Sequence, residues 1–184
     1  MADRADTARQ RLQTAAVELF GERGFDGTTA AEIAARAGVT ERTFFRHFAD
    51  KREVLFDGQA VLLDALLRAV RAAPDGEAPL ATLFRAFRSV RPLLEGNRSF
   101  AEPRHAVIVA TPALQERELA KTAALAEALA EALRDRGVPD LRATLAAQTG
   151  MAAFAHVTIA WLNDPDPGLA ERLDRAERDL RALL

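Results

Sequence analysis

TAAEIAARAGVTERTFFRHF, residues 29–48, contains the signals for two short helices joined by a tight turn. Thr29 and Glu32 form a capping box, in which each side chain accepts a hydrogen bond from the other residue's backbone amide. Gly38 supplies the turn that ends the first helix, and Thr40 can cap the second helix. This spacing is typical of a helix-turn-helix unit.

Helices are also expected on both sides of this pair. The first helix of the chain should end at Gly24, which can adopt the left-handed stop conformation. After the pair, Asp50 and Glu53 repeat an acidic capping pattern and predict a longer helix that runs to about Ala72. We therefore predict a three-helix domain over residues 1–50, joined through this longer helix to the rest of the chain.

The composition favours helix almost everywhere. Ala, Leu, Arg and Glu are abundant and Tyr is absent, and such chains are rich in strong helix formers. Pro, Gly and Asn signals bound further helices, which we expect over residues 80–94, 100–110, 112–136, 140–162 and 168–184. The predicted fold class is all-α, with a second helical domain over residues 51–184.

Bulk properties exclude several classes of protein. The chain has no cysteine, so it contains no disulfide framework and no thiolate metal site. Its net charge of −2 restricts nucleic-acid binding to a local basic patch. The charged N-terminus predicts no signal peptide, and the weakly polar run from Met151 to Leu162 is expected to fall short of a membrane span. We expect a cytoplasmic protein that needs no cofactor and no membrane.

The helix from Thr40 to Phe48 has two chemically different faces at about 100° per residue. Its core face carries two aromatic residues, Phe44 and Phe48, which we expect to pack against Ile33, Ala34 and Ala37.

The opposite face carries Arg42, Thr43 and Arg46, with Phe45 and His47 on its flanks. Guanidinium groups suit guanine or phosphate, hydroxyl groups suit phosphate, and an aromatic edge suits thymine methyl groups. Periodicity alone is also compatible with a solvated surface helix, and His47 with a neutral surface histidine.

The identity and order of particular residues along the chain provide further evidence about function. The region resembles the DNA-binding region of the tetracycline-repressor (TetR) family through Gly24-Phe25, Thr28-Thr29, Ile33-Ala34, Ala37-Gly38-Val39-Thr40, Thr43-Phe44-Phe45, His47-Phe48, Lys51 and Leu55. The resemblance implies a three-helix DNA-binding head, a helical body that binds a small molecule, and a homodimer that releases a palindromic double-stranded operator when the effector binds.

By position, the resemblance assigns DNA contacts to Thr28, Thr40, Arg42, Thr43, Phe45, His47 and Lys51. Two positions depart from the family pattern. Phe45 stands where a tyrosine hydroxyl usually reaches phosphate, and Ala31 stands where a longer side chain often reads bases. The first change removes a hydrogen bond, and the second shifts base reading onto Arg42, Phe45 and Arg46.

The last helix predicts a subunit interface. Leu169, Leu173, Ala176 and Leu180 recur at steps of four and three residues, which is an a/d seam. The preceding helix is apolar on more than one side and is expected to bury two faces. Two such helices from each subunit would form a four-helix interface, although a purely intramolecular bundle also satisfies the pattern.

Candidate effector contacts combine bulky apolar residues with a few polar groups. We assign this role to Phe84, Phe87, Arg88, Phe100, Arg104, His105, Gln148, Phe154 and His156, and Trp161 has similar character. Ordinary core packing is the alternative for each aromatic residue.

Two other classes of protein remain open. Glu102 and His105 have the Glu-x-x-His spacing of carboxylate metal enzymes built on helical bundles. Pro103 interrupts that motif, and neither of the other histidines follows a glutamate by three residues. The second alternative is a DNA-binding protein that responds to no ligand.

Overall fold

The computed structural model describes residues 2–183, with side chains described from residue 8 onward. These residues form a 3-10 turn at Glu53–Leu55 and ten α-helices: α1 Ala2–Arg23, α2 Ala30–Arg36, α3 Glu41–His47, α4 Gln59–Arg71, α5 Pro79–Ser89, α6 Arg91–Gly96, α7 Arg98–Val109, α8 Pro112–Asp135, α9 Asp140–Asn163 and α10 Leu169–Leu183. No strand occurs among them. The predicted all-α fold class is confirmed.

The chain divides into two compact units. Unit 1 contains the residues up to Gln59 together with Ser99–Glu116, and unit 2 contains Ala60–Arg98 together with the residues from Arg117 onward. These limits differ from the predicted domains, which meet after residue 50. The segment Ser99–Glu116 lies far along the chain and is nevertheless part of the N-terminal unit.

Unit 1 is organised around one apolar core. Buried residues of α1, α2 and α3 share this core with Val107 and Ile108 of α7 and with Leu114 at the start of α8. Phe44 is fully buried there and Phe48 is 3% exposed. Burial of a side chain of this size contributes about 1.5–3 kcal/mol, so the short helices depend on the shared core for their stability.

The predicted continuous helix from Asp50 to Ala72 is wrong. A 3-10 turn at Glu53–Leu55 comes first, and α4 begins only at Gln59. In a continuous helix the Leu55 carbonyl would accept from the Gln59 amide, but it accepts instead from Nε of Arg104, and the Gln59 amide donates to Phe56. A side chain from a distant helix thus bonds the carbonyl at the point where the helix is interrupted.

The predicted helix over residues 80–94 is divided. Val90 separates α5 from α6, and Pro92 has no amide hydrogen to donate to the carbonyl four residues earlier. A proline is tolerated in the first turn of a helix but not in its interior. Pro92 therefore favours a new helix start at this point.

Unit 2 contains α5, α9 and α10 packed against one another. Gly150 of α9 faces α5, where a Cβ atom would lie 3.1 Å from Leu83 Cδ1 and 3.5 Å from the Phe87 ring. The absence of a side chain at Gly150 thus permits the two helices to pack closely.

Helix α9 is longer than the weakly polar run from Met151 to Leu162. It spans Asp140–Asn163 and is long and apolar enough, by length and composition, to cross a membrane, whereas the expectation of a segment too short to span concerned Met151–Leu162 alone. Buried core helices also pass this test, and 39% of its most apolar window is buried within the chain.

Candidate nucleic-acid interface

Helix α3 begins at a threonine cap. Thr40 has an extended backbone with φ −83° and ψ 155°, and its side-chain oxygen accepts from the Thr43 amide at 3.2 Å. The hydroxyl groups of Thr40 and Thr43 lie 3.0 Å apart. A threonine cap is worth about 1 kcal/mol relative to alanine, so these residues fix the start of the helix.

Helix α2 begins at the predicted capping box, which is confirmed. Thr29 Oγ1 accepts from the Glu32 amide at 3.2 Å, and the Thr29 amide donates to Glu32 Oε2 at 2.8 Å. These bonds lower the pKa of Glu32, with the bond from the Thr29 amide as the largest cause, and burial opposes them. The carboxylate therefore stays ionised at the N-terminus of α2, where negative charge is favourable.

The core face of α3 is the predicted one. Phe44 and Phe48 are buried in the same cluster as Ile33, Ala34 and Ala37. The two phenylalanine rings have their centroids 5.5 Å apart. This packing fixes the rotation of α3 and so decides which residues face outward.

The outward face of α3 carries cationic and aromatic groups. Arg42 and Arg46 are exposed, and neither makes an ion pair or hydrogen bond with the residues that the structure describes. Phe45 is 52% exposed, with its ring edge-on to Phe44. An exposed phenylalanine beside two unengaged guanidinium groups is chemically suited to base edges and phosphate.

Thr28 does not lie on this surface. It is 1% exposed, and its hydroxyl donates to the Gly24 carbonyl at 2.9 Å, with the Leu19 carbonyl at 3.3 Å. The predicted phosphate contact therefore has no free hydroxyl hydrogen, and the residue instead fixes the segment that precedes α2.

Lys51 is also engaged within unit 1. Its ammonium donates to the carbonyl oxygens of Phe25 and Thr28 at 2.8 and 3.0 Å. It is half-buried and lies 4.2 Å from the centroid of the Phe25 ring. The predicted phosphate contact would have to share an ammonium group that already has these partners.

His47 is half-buried at the end of α3. Burial lowers its pKa, the positive charges of Arg46 and Arg9 lower it further, and Asp57 acts in the opposite direction. Its Nε2 atom is buried and has no hydrogen-bond partner among the described residues. The ring is therefore neutral near pH 7, which agrees with the alternative of a neutral histidine.

The aromatic candidates of unit 2 form a closely packed core. Phe84 and Phe87 are fully buried, and Phe154 is 4% exposed. Phe87 stacks on Phe154 with centroids 4.4 Å apart, and Phe84 meets Phe87 edge-on at 5.6 Å. These contacts correspond to ordinary core packing, the alternative to effector contact for these aromatic residues.

Arg88 is held by ion pairs in unit 2. Its Nε donates to Asp174 Oδ1 at 2.7 Å, and its other end bonds Glu177. Glu177 is 8% exposed and also accepts from Arg181. The guanidinium therefore joins α5 to α10, which argues against the predicted contact with an effector.

The remaining effector candidates occupy other positions. Phe100, Arg104 and His105 belong to unit 1, where Phe100 packs against the core and Arg104 bonds the Leu55 carbonyl. Gln148 and His156 are exposed on α9. The predicted set is thus distributed over both units.

The predicted interface on α10 is largely occupied within the chain. Leu169 and Leu173 are fully buried in unit 2, and Ala176 and Leu180 are half-buried. The two leucines therefore serve the intramolecular bundle, which is a correction to their assignment as partner contacts.

Large apolar side chains are exposed on α9 instead. Leu141 is 71% exposed, Leu145 is 55% exposed and Ile159 is 40% exposed. With Gln148, Ala152 and His156 these residues recur at helical spacing along one side of α9. The apolar character of α9 on more than one side was the sequence signal for this surface, but burial was needed to identify its members.

The alternative of a metal site at Glu102 and His105 requires further ligands beside these two residues. Among the residues that the structure describes, no group of three or more histidine, aspartate or glutamate side chains could hold a metal ion. Glu102 is exposed, and His105 is half-buried.

Family comparisons cover both parts of the chain. Residues 12–57 match the family described as bacterial regulatory proteins of the tetR family. Residues 77–184 match the family described as the MftR C-terminal domain, so this match alone covers more than half of the chain.

Curated relatives include two transcriptional regulators. The chain is 43% identical over 82 residues to TcmR of Streptomyces glaucescens, an alignment that covers 45% of this chain and only 36% of TcmR. It is 26% identical over 183 residues to MftR of Mycobacterium tuberculosis, covering 94% of this chain and 89% of MftR.

Two solved structures extend the comparison to the fold. Thermus thermophilus FadR, a TetR-family repressor in complex with lauroyl-CoA, is 32% identical with a TM-score of 0.55, covering 94% of this chain and 93% of FadR. The complex of SmeT with triclosan has a TM-score of 0.65 at 22% identity, covering 94% of this chain and 90% of SmeT, and supports the fold alone. The capped helices α2 and α3 and the matches over both parts of the chain agree, and the chain belongs to the TetR family of bacterial transcriptional regulators.

Proposed function

We propose that this TetR-family regulator is a ligand-responsive repressor, not an enzyme, and that it acts in the cytoplasm as a homodimer on a palindromic operator. The observation that carries the proposal is the outward face of α3, which we assign as the recognition helix. Arg42 and Arg46 are exposed there without ion-pair partners among the described residues, beside a half-exposed Phe45. A dimer would present two such helices to successive major grooves, about 34–36 Å apart.

The contacts divide by chemistry. We assign base reading to Arg42, Arg46 and Phe45, whose side chains extend from the middle of α3. Thr40 is exposed and Thr43 is half-buried, and their hydroxyl groups are suited to phosphate at the N-terminus of α3. Thr28 and His47 are left out of the proposed contact set because a buried hydroxyl and a neutral, half-buried ring offer little to phosphate.

The exposed side of α9 is the surface that we assign to the partner subunit. Leu141, Leu145 and Ile159 expose apolar area that water solvates poorly. A twofold axis would place the same side of α9 from each subunit face to face. The half-buried Ala176 and Leu180 of α10 can contribute at the margin of this surface.

Unit 2 is the part that we assign to the effector. The relatives captured with lauroyl-CoA and triclosan hold ligands with large apolar parts. The cluster of Phe84, Phe87 and Phe154 offers matching surface, but only if the stacked rings separate. An effector that binds the opened cluster would shift the population toward that conformation by its differential affinity, and release of DNA would follow if the two recognition helices were then differently spaced.

The test begins with selection of binding sites from random duplex DNA by the purified full chain. We expect enrichment of an inverted repeat, and we expect a variant with both Arg42→Ala and Arg46→Ala to enrich nothing. Circular dichroism of this variant should match that of the wild type, because both side chains are exposed. Failure of the wild type to enrich any sequence, with binding that disappears at modest salt, would contradict the proposal.

The effector step is tested on the selected operator. Lauroyl-CoA and triclosan are titrated against the protein–DNA complex while fluorescence anisotropy reports bound DNA. A saturable decrease in anisotropy supports a ligand-responsive repressor. If neither these compounds nor a broader set of apolar metabolites changes binding, the alternative of a regulator without a ligand is favoured.

A further inference from the structure

The ammonium group of Lys51 bonds the protein's own backbone. It donates to Phe25 O at 2.8 Å and to Thr28 O at 3.0 Å, and it lies 4.2 Å from the centroid of the Phe25 ring. Hydrogen bonds from a charged donor are stronger than neutral ones, and a cation over an aromatic face adds a further attraction. Three interactions thus hold one side chain to a segment more than twenty residues earlier in the chain.

That segment is the short connection between α1 and α2. Gly24 adopts φ +76°, a conformation that glycine adopts without strain. A Cβ atom on Gly27 would lie 2.6 Å from the Arg23 carbonyl oxygen, so the path of the backbone leaves no space for a side chain. The Phe25 ring packs against Phe20 with centroids 5.1 Å apart. The connection therefore has one well-defined conformation.

The two carbonyl groups that Lys51 binds belong to Phe25 and Thr28, both within this connection. Thr28 directly precedes Thr29, which caps α2. Lys51 itself lies just beyond the end of α3. Its side chain thus joins the start of one helix of the helix-turn-helix unit to the exit of the other.

We propose that Lys51 is a positioning residue, whose ammonium group holds the connection between α1 and α2 in place and so fixes α2 relative to the recognition helix. In this role it supports operator binding without neutralising a phosphate. The expected effect of Lys51 on operator binding rests on the DNA interface proposed above. Its expected effect on the backbone of the connection in the free protein does not depend on DNA.

The two roles differ in how binding depends on salt. A side chain that neutralises a phosphate releases a counterion, and its removal lowers the slope of log K against log salt by about 0.9. A positioning residue changes affinity by a similar factor at every salt concentration, because the number of phosphates contacted is unchanged. Only the positioning role predicts a change in the backbone of the connection before DNA is added.

The experiment compares Lys51→Met with Arg46→Met in the full chain. Methionine keeps an unbranched apolar side chain and removes the charge and the donors. Hydrogen exchange of the amides of residues 24–29 is measured without DNA, and operator affinity is measured across a range of salt concentrations. For Lys51→Met we expect exchange to be faster by about tenfold and the salt slope to be unchanged. For Arg46→Met we expect unchanged exchange in residues 24–29 and weaker operator binding, because this side chain is exposed on the outward face of α3 and does not contact the connection between α1 and α2.

A slope reduced by about one in Lys51→Met, with exchange in residues 24–29 unchanged, would overturn the proposal. If Lys51→Met does not fold, Lys51→Arg replaces it, because arginine keeps the positive charge and alters the donor geometry. Positioning predicts faster exchange in that variant, whereas a phosphate contact predicts wild-type exchange. If the wild-type protein selects no operator, the exchange measurement still decides the role of Lys51 in the fold.

Discussion

Gly150 and Leu83 pack so closely that a Cβ atom on the glycine would lie 3.1 Å from Cδ1 of the leucine. The branched side chain in Gly150→Val would also meet the Phe87 ring, because Cβ alone already comes within 3.5 Å of it. Overpacking of this kind costs about 1–3 kcal/mol. We expect this decrease in the free energy of unfolding of unit 2, measured in urea by the fluorescence of Trp161, the only tryptophan in the chain.

Gly96→Val is the matched control for this prediction. Gly96 lies in unit 2 as well, at the end of α6. A Cβ atom there would meet nothing within 4 Å. We expect a change within about 0.5 kcal/mol. Equal effects of the two substitutions would show that helix propensity, and not the contact with α5, determines the result.

Arg42→Ala should weaken operator binding by about 1–3 kcal/mol and relax sequence preference at one position of each half-site if Arg42 reads a base. The side chain is exposed on α3, so stability should not change. Binding to the selected operator and to single-base variants of it measures the effect. An equal loss on every sequence would assign Arg42 to phosphate instead.

Phe45→Tyr should strengthen operator binding. The side chain is 52% exposed, so the added hydroxyl reaches solvent or DNA without being buried in the core. One new hydrogen bond to phosphate would contribute about 0.5–1.5 kcal/mol. Affinity measured at fixed salt tests this expectation, and an unchanged or weaker affinity would show that the phenylalanine makes apolar contacts that a phenol does not improve.

Leu145→Glu should convert the proposed homodimer to monomers without unfolding the chain. Leu145 is 55% exposed on α9, and a carboxylate buried between two subunits would lack a partner. Sedimentation velocity measures the assembly state, and Leu119→Glu on α8, where the leucine is 70% exposed, is the control. A dimer that survives Leu145→Glu would place the interface elsewhere.

Low pH should decrease the free energy of unfolding of unit 2 because the carboxylate of Glu77 becomes protonated. Its carboxylate accepts from Arg85 Nε at 3.0 Å and from the Thr82 hydroxyl at 3.1 Å. The bond to Arg85 is the largest cause that lowers the pKa of Glu77 below 4.5; burial opposes it, and the Thr82 bond assists. A depressed carboxyl pKa contributes stability above the unfolded value, and this contribution is lost as the pH falls through the folded value.

Glu77→Gln should therefore destabilise unit 2 near pH 7, by no more than about 1 kcal/mol because Arg85 is exposed and solvent screens the pair. The difference from the wild type should shrink as the pH falls below 4.5, the ordinary value for this group. Trp161 fluorescence in urea at a series of pH values provides the measurement. A difference that stays constant with pH would assign the effect to hydrogen bonding alone.

Local signals in the sequence were sufficient for the helix-turn-helix unit. The Thr29 and Glu32 capping box and the Thr40 cap depend on residues within four positions, and the inward rotation of Phe44 and Phe48 follows from helical periodicity. The break in the helix after Asp50 lies where Arg104 bonds a carbonyl 49 residues away. No local pattern contains that contact.

The a/d seam on α10 is a second case in which a local pattern does not reveal a long-range contact. Spacing predicted an a/d seam that includes Leu169 and Leu173 and assigned it to a partner subunit, but spacing does not identify the helix that covers such a seam. Their partners lie in their own chain, where α10 packs against α5 and α9. Similarly, the resemblance to the family identifies Thr28 and Lys51 by their positions, whereas their backbone partners depend on how the connection between α1 and α2 folds.

The return of residues 99–116 to unit 1 limits how the regulator can be recombined with its relatives. A hybrid that joins the first fifty residues of one family member to the body of another would combine a helix-turn-helix from one parent with Val107, Ile108 and Leu114 from the other. These side chains complete the core behind the recognition helix. Transplanting operator specificity therefore requires moving two stretches of sequence, or limiting the exchange to the exposed residues of α3.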